Sequence, residues 1–322
     1  MASLDIREIF AGPVGGWMLH CKCTSSPAAL RPDRHPLVIV PGYGMNAFIF
    51  GFHPRGTSME RCLAEAGFEV WSVNLRAQGP SRRLGRAEEP SLRAYAEEDL
   101  PAALEAILAH TRTTTGRAVL IGCSLGGSIA YAHLSRVPAS PVAAVCTIGA
   151  PLRMEDLHPA VRFAFGSPRL IELVRLRGAR RLAGLALPLV RRAPQLLAIY
   201  MNAAHVDLSA ASELVRTVED PVPRVNRDIA EWIASRDLIV GGTNVTHAMR
   251  EQRAPLLLVV SNRDGIVPER AALSVRDVWG GQVELLRVGD DDRWFAHADL
   301  FIADSAPERV FAPLARWAGN LG

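Results

Sequence analysis

Five residues constrain this chain more than any others: Gly122-Cys123-Ser124-Leu125-Gly126. A short apolar run, Ala118-Val119-Leu120-Ile121, precedes them, and Gly127 to Leu134 reads as helix. A G-x-S-x-G stretch between a strand and a helix has the setting of a nucleophile elbow. So tight a turn forces its serine into a strained backbone conformation, and the flanking positions must be small or strand and helix collide. Gly122 and Gly126 meet that demand, and Gly127 relaxes it further. The strain presents the serine hydroxyl outward. It also sets the next backbone N–H, that of Leu125, beside the hydroxyl as a donor for a developing oxyanion.

A nucleophilic serine needs a base, and the base needs an orienting acid. With a G-x-S-x-G elbow the chain order is Ser, then Asp or Glu, then His. Pro255-Leu256-Leu257-Leu258-Val259-Val260 reads as a buried strand running into Ser261 to Pro268, which places Asp264 in the loop at its C-terminal end. Binding and catalytic groups of open parallel sheets collect at that edge. Val283 to Val288 reads as the next strand, and His297 follows its polar loop, ahead of a final helix from Ala306 to Ala318. Other acids compete for the role of Asp264. Glu155 and Asp156 follow an earlier strand ending at Ile148, whereas Asp290, Asp291 and Asp292 read as a solvated loop. Asp299, two residues after His297, is placed to steady the histidine loop.

A second oxyanion donor is expected after an early strand, Leu37-Val38-Ile39-Val40, in Pro41-Gly42-Tyr43-Gly44-Met45-Asn46. Glycines there let the backbone approach a carbonyl closely. The N–H of Tyr43 is the candidate donor, with that of Gly44 as an alternative.

Together these residues resemble the α/β-hydrolase superfamily, over about 35 to 152 and about 254 to 318. Gly67 to Gly79 is similar to the family's fourth strand and following turn, and Asp99-Leu100-Pro101 to the helix start before the elbow strand. Three stretches are closest to the polyhydroxyalkanoate synthase-like and acid-lipase-like branches. They are Ser58-Met59 with Gly67-Phe68-Glu69-Val70-Trp71, the Asp-Leu-Pro start, and His297-Ala298-Asp299-Leu300-Phe301. Two departures matter. Pro41-Gly42 stands where the family commonly has His-Gly, which leaves the backbone donor but removes a side chain. Serine at 124, where polyester synthases carry cysteine, favours hydrolysis over polymerisation. The resemblance implies a mostly parallel central sheet with helices on both faces. The core would comprise residues 1–152 and 254–322.

Between Arg153 and Arg253 strand-like runs vanish and helical spacing dominates, punctuated by Pro168, Pro188, Pro194, Pro221 and Pro223. Residues 153–253 are therefore the expected helical cap, the place where this fold inserts a lid over its acyl site. Phe163, Phe165, Leu170, Leu173, Leu176, Leu196, Ile199, Tyr200 and Met201 are candidate pocket liners. From Ala160 to Arg192 there are eight arginines and one acid, Glu172, interleaved with leucines. Such a basic amphipathic stretch suits an anionic membrane surface or an anionic substrate.

Composition narrows the alternatives. The net charge is +3, and Lys22 is the single lysine among 36 Lys and Arg residues, a bias running through the entire chain. No zinc-finger, RNP-type or basic-helix pattern points to nucleic acid. Five cysteines, an odd number, argue against a disulfide framework. Cys21 and Cys23 share a strand face, and Cys62, Cys123 and Cys146 read as small core residues. No Cys/His cluster has zinc spacing. With no signal-peptide pattern at the N-terminus and no apolar run of ~20 residues, the expected location is cytoplasmic.

The chemistry implied is acyl transfer to water. Ser124 would be the nucleophile, His297 the base and Asp264 its orienter, with the N–H groups of Leu125 and Tyr43 as oxyanion donors and neither cofactor nor metal required. The expected substrate is a small-molecule ester or thioester with a hydrophobic acyl group. An acyltransferase or acyl-CoA thioesterase would use the same triad, and a non-catalytic binding protein on this fold is the alternative of a different class. Oligomeric state is left open.

Overall fold

The computed structural model describes residues 3–173, 177–193 and 197–321. Eight main strands build one twisted sheet: β1 (Asp5–Val14), β2 (Trp17–Ser25), β3 (Leu37–Val40), β4 (Val70–Val73), β5 (Ala118–Cys123), β6 (Val142–Ile148), β7 (Leu256–Ser261) and β8 (Val283–Val288). Their spatial order is β1-β2-β4-β3-β5-β6-β7-β8, and a two-residue strand, Arg82–Arg83, adds to β2. β1, β2 and β4 pair antiparallel, and every pairing from β4 to β8 is parallel.

Both faces of this sheet are covered, so its central strands read as continuous apolar runs rather than alternating ones. Leu37 and Ile39 face one core cluster, and Val38 and Val40 face the other. The first face is packed by α1 (Met59–Glu65) and the C-terminal helix Ala312–Gly319, through Leu63 and Leu314. The second is packed by α2 (Leu100–His110) and α3 (Leu125–Arg136), through Leu104, Ile107 and Tyr131. Each fully buried leucine contributes roughly 1.5–3 kcal/mol. Cys21, Cys23, Cys123 and Cys146 are buried in these clusters and Cys62 is half-buried; all five are free thiols.

Strand register brings the ends of four strands into line. Val40 pairs with Gly122, Cys123 with Ile148, and Ile148 with Val259. The C-terminal ends of β3, β5, β6 and β7 therefore stand level, and the loops that leave them share one edge.

Between β6 and β7 the described chain is mainly helical and includes α4 (Pro159–Ala164), α5 (Pro168–Leu173), α6 (Ala179–Arg192) and α7 (Pro223–Ser235). Val225, Ile229 and Trp232 bury one stripe of α7, at the i, i+4, i+7 spacing of an amphipathic helix. Arg224–Asp228 and Arg227–Glu231 pair at i, i+4 on α7. One small hairpin, Ile239–Val240 with Thr243–Asn244, interrupts this otherwise helical stretch; two-residue strands carry no period for sequence reading to detect. The single closing helix expected from Ala306 resolves into a π-turn (Pro307–Phe311) and Ala312–Gly319, and a short helix, Asp299–Ile302, intervenes after His297. Among the described residues no helix is long and apolar enough to cross a membrane.

Candidate active site

Ser124 sits between β5 and α3 with φ +54° and ψ −124°, a positive-φ conformation that a residue with a side chain adopts only when its surroundings over-determine it. The constraint is visible at the glycines. A Cβ on Gly122 would lie 2.3 Å from Gly127 Cα, and one on Gly126 would lie 2.2 Å from the Val40 carbonyl oxygen. Only glycine allows helix and strand to approach so closely. Gly127 has its own packing reason, since a Cβ there would lie 2.4 Å from Ala150 Cβ. The Ser124 N–H donates to the Ile148 carbonyl at 2.9 Å, which anchors the turn to β6. Ser124 is half-buried, whereas Cys123 points into the core.

Asp264 and His297 meet directly. His297 Nδ1–H donates to Asp264 Oδ2 at 2.6 Å, and both residues are buried. The other carboxylate oxygen, Oδ1, accepts the backbone N–H groups of Ile266 and Val267 at 2.9 and 2.7 Å. The loop after β7 therefore holds the acid by contacts that do not involve the histidine. With its proton held on Nδ1, the imidazole presents a lone pair at Nε2. Gly149, the residue after Ile148, lies against the ring; a Cβ there would be 3.2 Å from His297 Cε1 and 3.4 Å from Asp264 Oδ2. The pair thus stands one residue beyond the carbonyl that holds Ser124. Among the described residues, the Ser124 hydroxyl makes no hydrogen bond to the imidazole.

The competing acids are engaged elsewhere. Glu155 and Asp156 pair with Arg270, and Asp290 Oδ1 accepts the N–H groups of Asp292 and Arg293. Asp299 does steady the histidine loop, by accepting the Ala296 N–H at 2.7 Å. It also accepts the Asn202 N–H at 3.0 Å with both oxygens, and burial pushes its carboxyl up to about 6. Asn202 carried no sequence signal for this role.

The β3 loop places Gly42 against the elbow, where a Cβ would lie 2.9 Å from Ser124 Cβ. Neither the Tyr43 N–H nor the Leu125 N–H is taken by a hydrogen bond among the described residues. The loop is held from the far side by the β6–β7 insertion. Tyr43 Oη–H donates to Asn226 Oδ1 on α7, the Glu219 N–H donates to the Gly44 carbonyl, and Met45 bridges Val218. Burial pushes the Tyr43 phenol up to about 12.

Of the apolar candidates, Phe165 packs edge-on against Tyr43 at 5.8 Å and Tyr200 lies 6.1 Å from the His297 ring. The Ile199 carbonyl accepts the Gly265 N–H beside Asp264, and Met201 is buried in the core. Phe163 is 89% exposed, on a short helix, α4, that buries no residue. Leu176 and Leu196 lie outside the described residues, as do the side chains of Leu170 and Leu173.

The profile of the alpha/beta hydrolase family matches residues 37–316. A search of curated protein sequences finds no match. Among solved structures, an esterase from a Rhodococcus species aligns with 17% identity and a TM-score of 0.61, covering 98% of this chain and 99% of its own. An esterase from Exiguobacterium antarcticum aligns with 15% identity and a TM-score of 0.62, covering 98% and 100%. A meta-cleavage product hydrolase from Pseudomonas fluorescens aligns with 13% identity and a TM-score of 0.60, covering 98% of each chain. At these identities the likeness is one of fold.

Proposed function

The chain belongs to the alpha/beta hydrolase family, and from that premise we propose that it hydrolyses carboxylic esters of hydrophobic acyl groups through an acyl-enzyme on Ser124. The observation that carries this reading is the buried Asp264–His297 contact at 2.6 Å, set one residue from the carbonyl that anchors a strained Ser124. The Ser124 hydroxyl attacks the ester carbonyl while His297 Nε2 takes its proton. Asp264 holds the tautomer and stabilises the imidazolium. The N–H groups of Leu125 and Tyr43 receive the oxyanion; losing one such donor typically costs about 3 kcal/mol of barrier. The imidazolium returns its proton to the departing alkoxide. Water, deprotonated by the same nitrogen, then attacks the acyl-enzyme and releases the acid. No step needs a cofactor or metal.

Residues 153–253 serve in this reading as the cap. The ties from Tyr43, Gly44 and Met45 to Asn226, Glu219 and Val218 support it, because they fasten the insertion to the loop that carries the proposed donor. Leu182 and Leu185, exposed beside Arg180 and Arg181 on α6, support cap contact with an anionic surface.

The test is hydrolysis of short and medium p-nitrophenyl esters. Wild-type protein turns them over and Ser124→Ala does not; equal rates would refute the assignment.

A further inference from the structure

A second constellation lies away from Ser124. A cavity of about 1480 Å³ opens between the antiparallel end of the sheet and the insertion, and none of Ser124, Asp264 and His297 lines it. Its floor includes His20 and Lys22 of β2, Ser72 of β4 and Asn74 just beyond. Lys22 pairs with Ser72 across the ladder, so their side chains emerge on one face.

The floor is a directional chain of polar groups. The Ala47 N–H donates to Asn74 Oδ1 at 2.9 Å, so the amide turns its Nδ2 toward His20 Nδ1, 3.0 Å away, and donates to it. His20 Nδ1 is thereby an acceptor, and the proton of the ring sits on Nε2. Burial lowers the pKa of this histidine, against the opposing pull of the Glu8 carboxylate. His20 is only 4% exposed, and its Nε2–H faces the Glu8 carboxylate, with Oε2 3.5 Å away. Ser72 Oγ, fully buried, is unpartnered among the described residues. An unpartnered hydroxyl in a cavity wall is costly unless a ligand satisfies it.

The rim supplies charge. Arg180 is matched to Glu219, Lys22 to Glu60, and Asp220 accepts the N–H groups of Gly178 and Ala179. Arg83, Arg177 and Arg181 also line the cavity and have no ion-pair partner among the described residues. Glu8 and Glu89 stand on the exposed side of the rim.

We propose that this cavity binds the phosphate groups of a small phosphorylated molecule. Phosphate oxygens accept hydrogen bonds at high negative charge, and so match unpaired guanidinium forks above and the Ser72 hydroxyl below. The site does not depend on the reaction assigned to Ser124. The phosphate could belong to a free ligand or to the far end of a substrate.

The experiment is calorimetric titration of inorganic pyrophosphate into the full chain at low salt. Wild type and Ser124→Ala bind alike. The double variant Arg177→Ala/Arg181→Ala, on exposed side chains, binds at least tenfold more weakly. Ser72→Ala removes an unpartnered hydroxyl, so the free protein melts no lower than wild type while pyrophosphate affinity falls several-fold. In the kinetic arm, pyrophosphate that raises KM for acetyl-coenzyme A but not for p-nitrophenyl acetate identifies a substrate's phosphate end; unchanged KM for both identifies a free ligand. No binding to wild type at millimolar pyrophosphate, or undiminished binding in both variants, overturns the proposal.

Discussion

The backbone N–H of Asn202 donates to both carboxylate oxygens of Asp299 at 3.0 Å, across 97 positions of sequence. The same carboxylate takes the Ala296 N–H next to His297, so one buried acid joins the middle of the insertion to the histidine loop. Burial raises its folded-state pKa to about 6, against an ordinary carboxylate value of 3.8.

That shift has a definite sign. Between pH 4 and 6 the folded state holds a proton that the unfolded state has released, so this group's contribution to stability falls as pH rises through the window. The loss is on the order of 3 kcal/mol and is complete above the folded pKa. Asp299→Asn does not titrate. The variant melts below wild type, by a margin that narrows from pH 4.5 to pH 7 in thermal denaturation. A margin that widens with pH contradicts the assignment.

Gly126→Ala places a methyl group 2.2 Å from the Val40 carbonyl oxygen. Overpacking of this kind costs about 3 kcal/mol, and here it also displaces the elbow, so both stability and ester turnover fall. Gly184→Ala, with nothing within 4 Å of the new Cβ and a helical backbone, is the contrasting control: it leaves turnover unchanged and raises stability by up to about 1 kcal/mol. Denaturant melts of the two variants give the comparison.

Asp264→Asn keeps the shape but turns an N–H donor or a neutral oxygen toward His297 Nδ1. In serine triads the wrong tautomer lowers kcat by about 10⁴. We expect a loss of that order in ester hydrolysis with little change in melting temperature; a drop of less than tenfold would count against the triad.

Tyr43→Phe removes the hydrogen bond to Asn226 but leaves the backbone N–H in place. Stability falls by about 1 kcal/mol and kcat/KM by no more than about tenfold. If turnover vanishes, the phenol itself enters the chemistry, and its role as a tie to the insertion is wrong.

Much of this architecture was legible because its signals are local. The apolar runs at Leu37–Val40, Ala118–Ile121 and Leu256–Val260 lie in strands of the sheet, and the small residues around Ser124 point to the tight turn found there. Asp264 and His297 stand out as candidates because each follows its own strand, and the structure sets them 2.6 Å apart. The ties that hold the site in place were not legible. Asn202 to Asp299 and Tyr43 to Asn226 join residues far apart in sequence, and a lone asparagine in a helical insertion carries no pattern that points to its partner. Gly149 looked like any residue ending a strand, and only its approach to the His297 ring shows why a side chain has no room there. Phe163 misled for the opposite reason: aromatic character suggested a pocket wall, but its six-residue helix buries nothing.

The central claim is that Ser124 is the nucleophile and that the Asp264–His297 pair activates it. A fluorophosphonate probe, with the adduct located by peptide mass spectrometry, tests it most directly. The account predicts a single adduct, on Ser124, formed orders of magnitude more slowly in His297→Ala. A probe that leaves Ser124 unmodified, or that labels it equally fast without the imidazole, would contradict it.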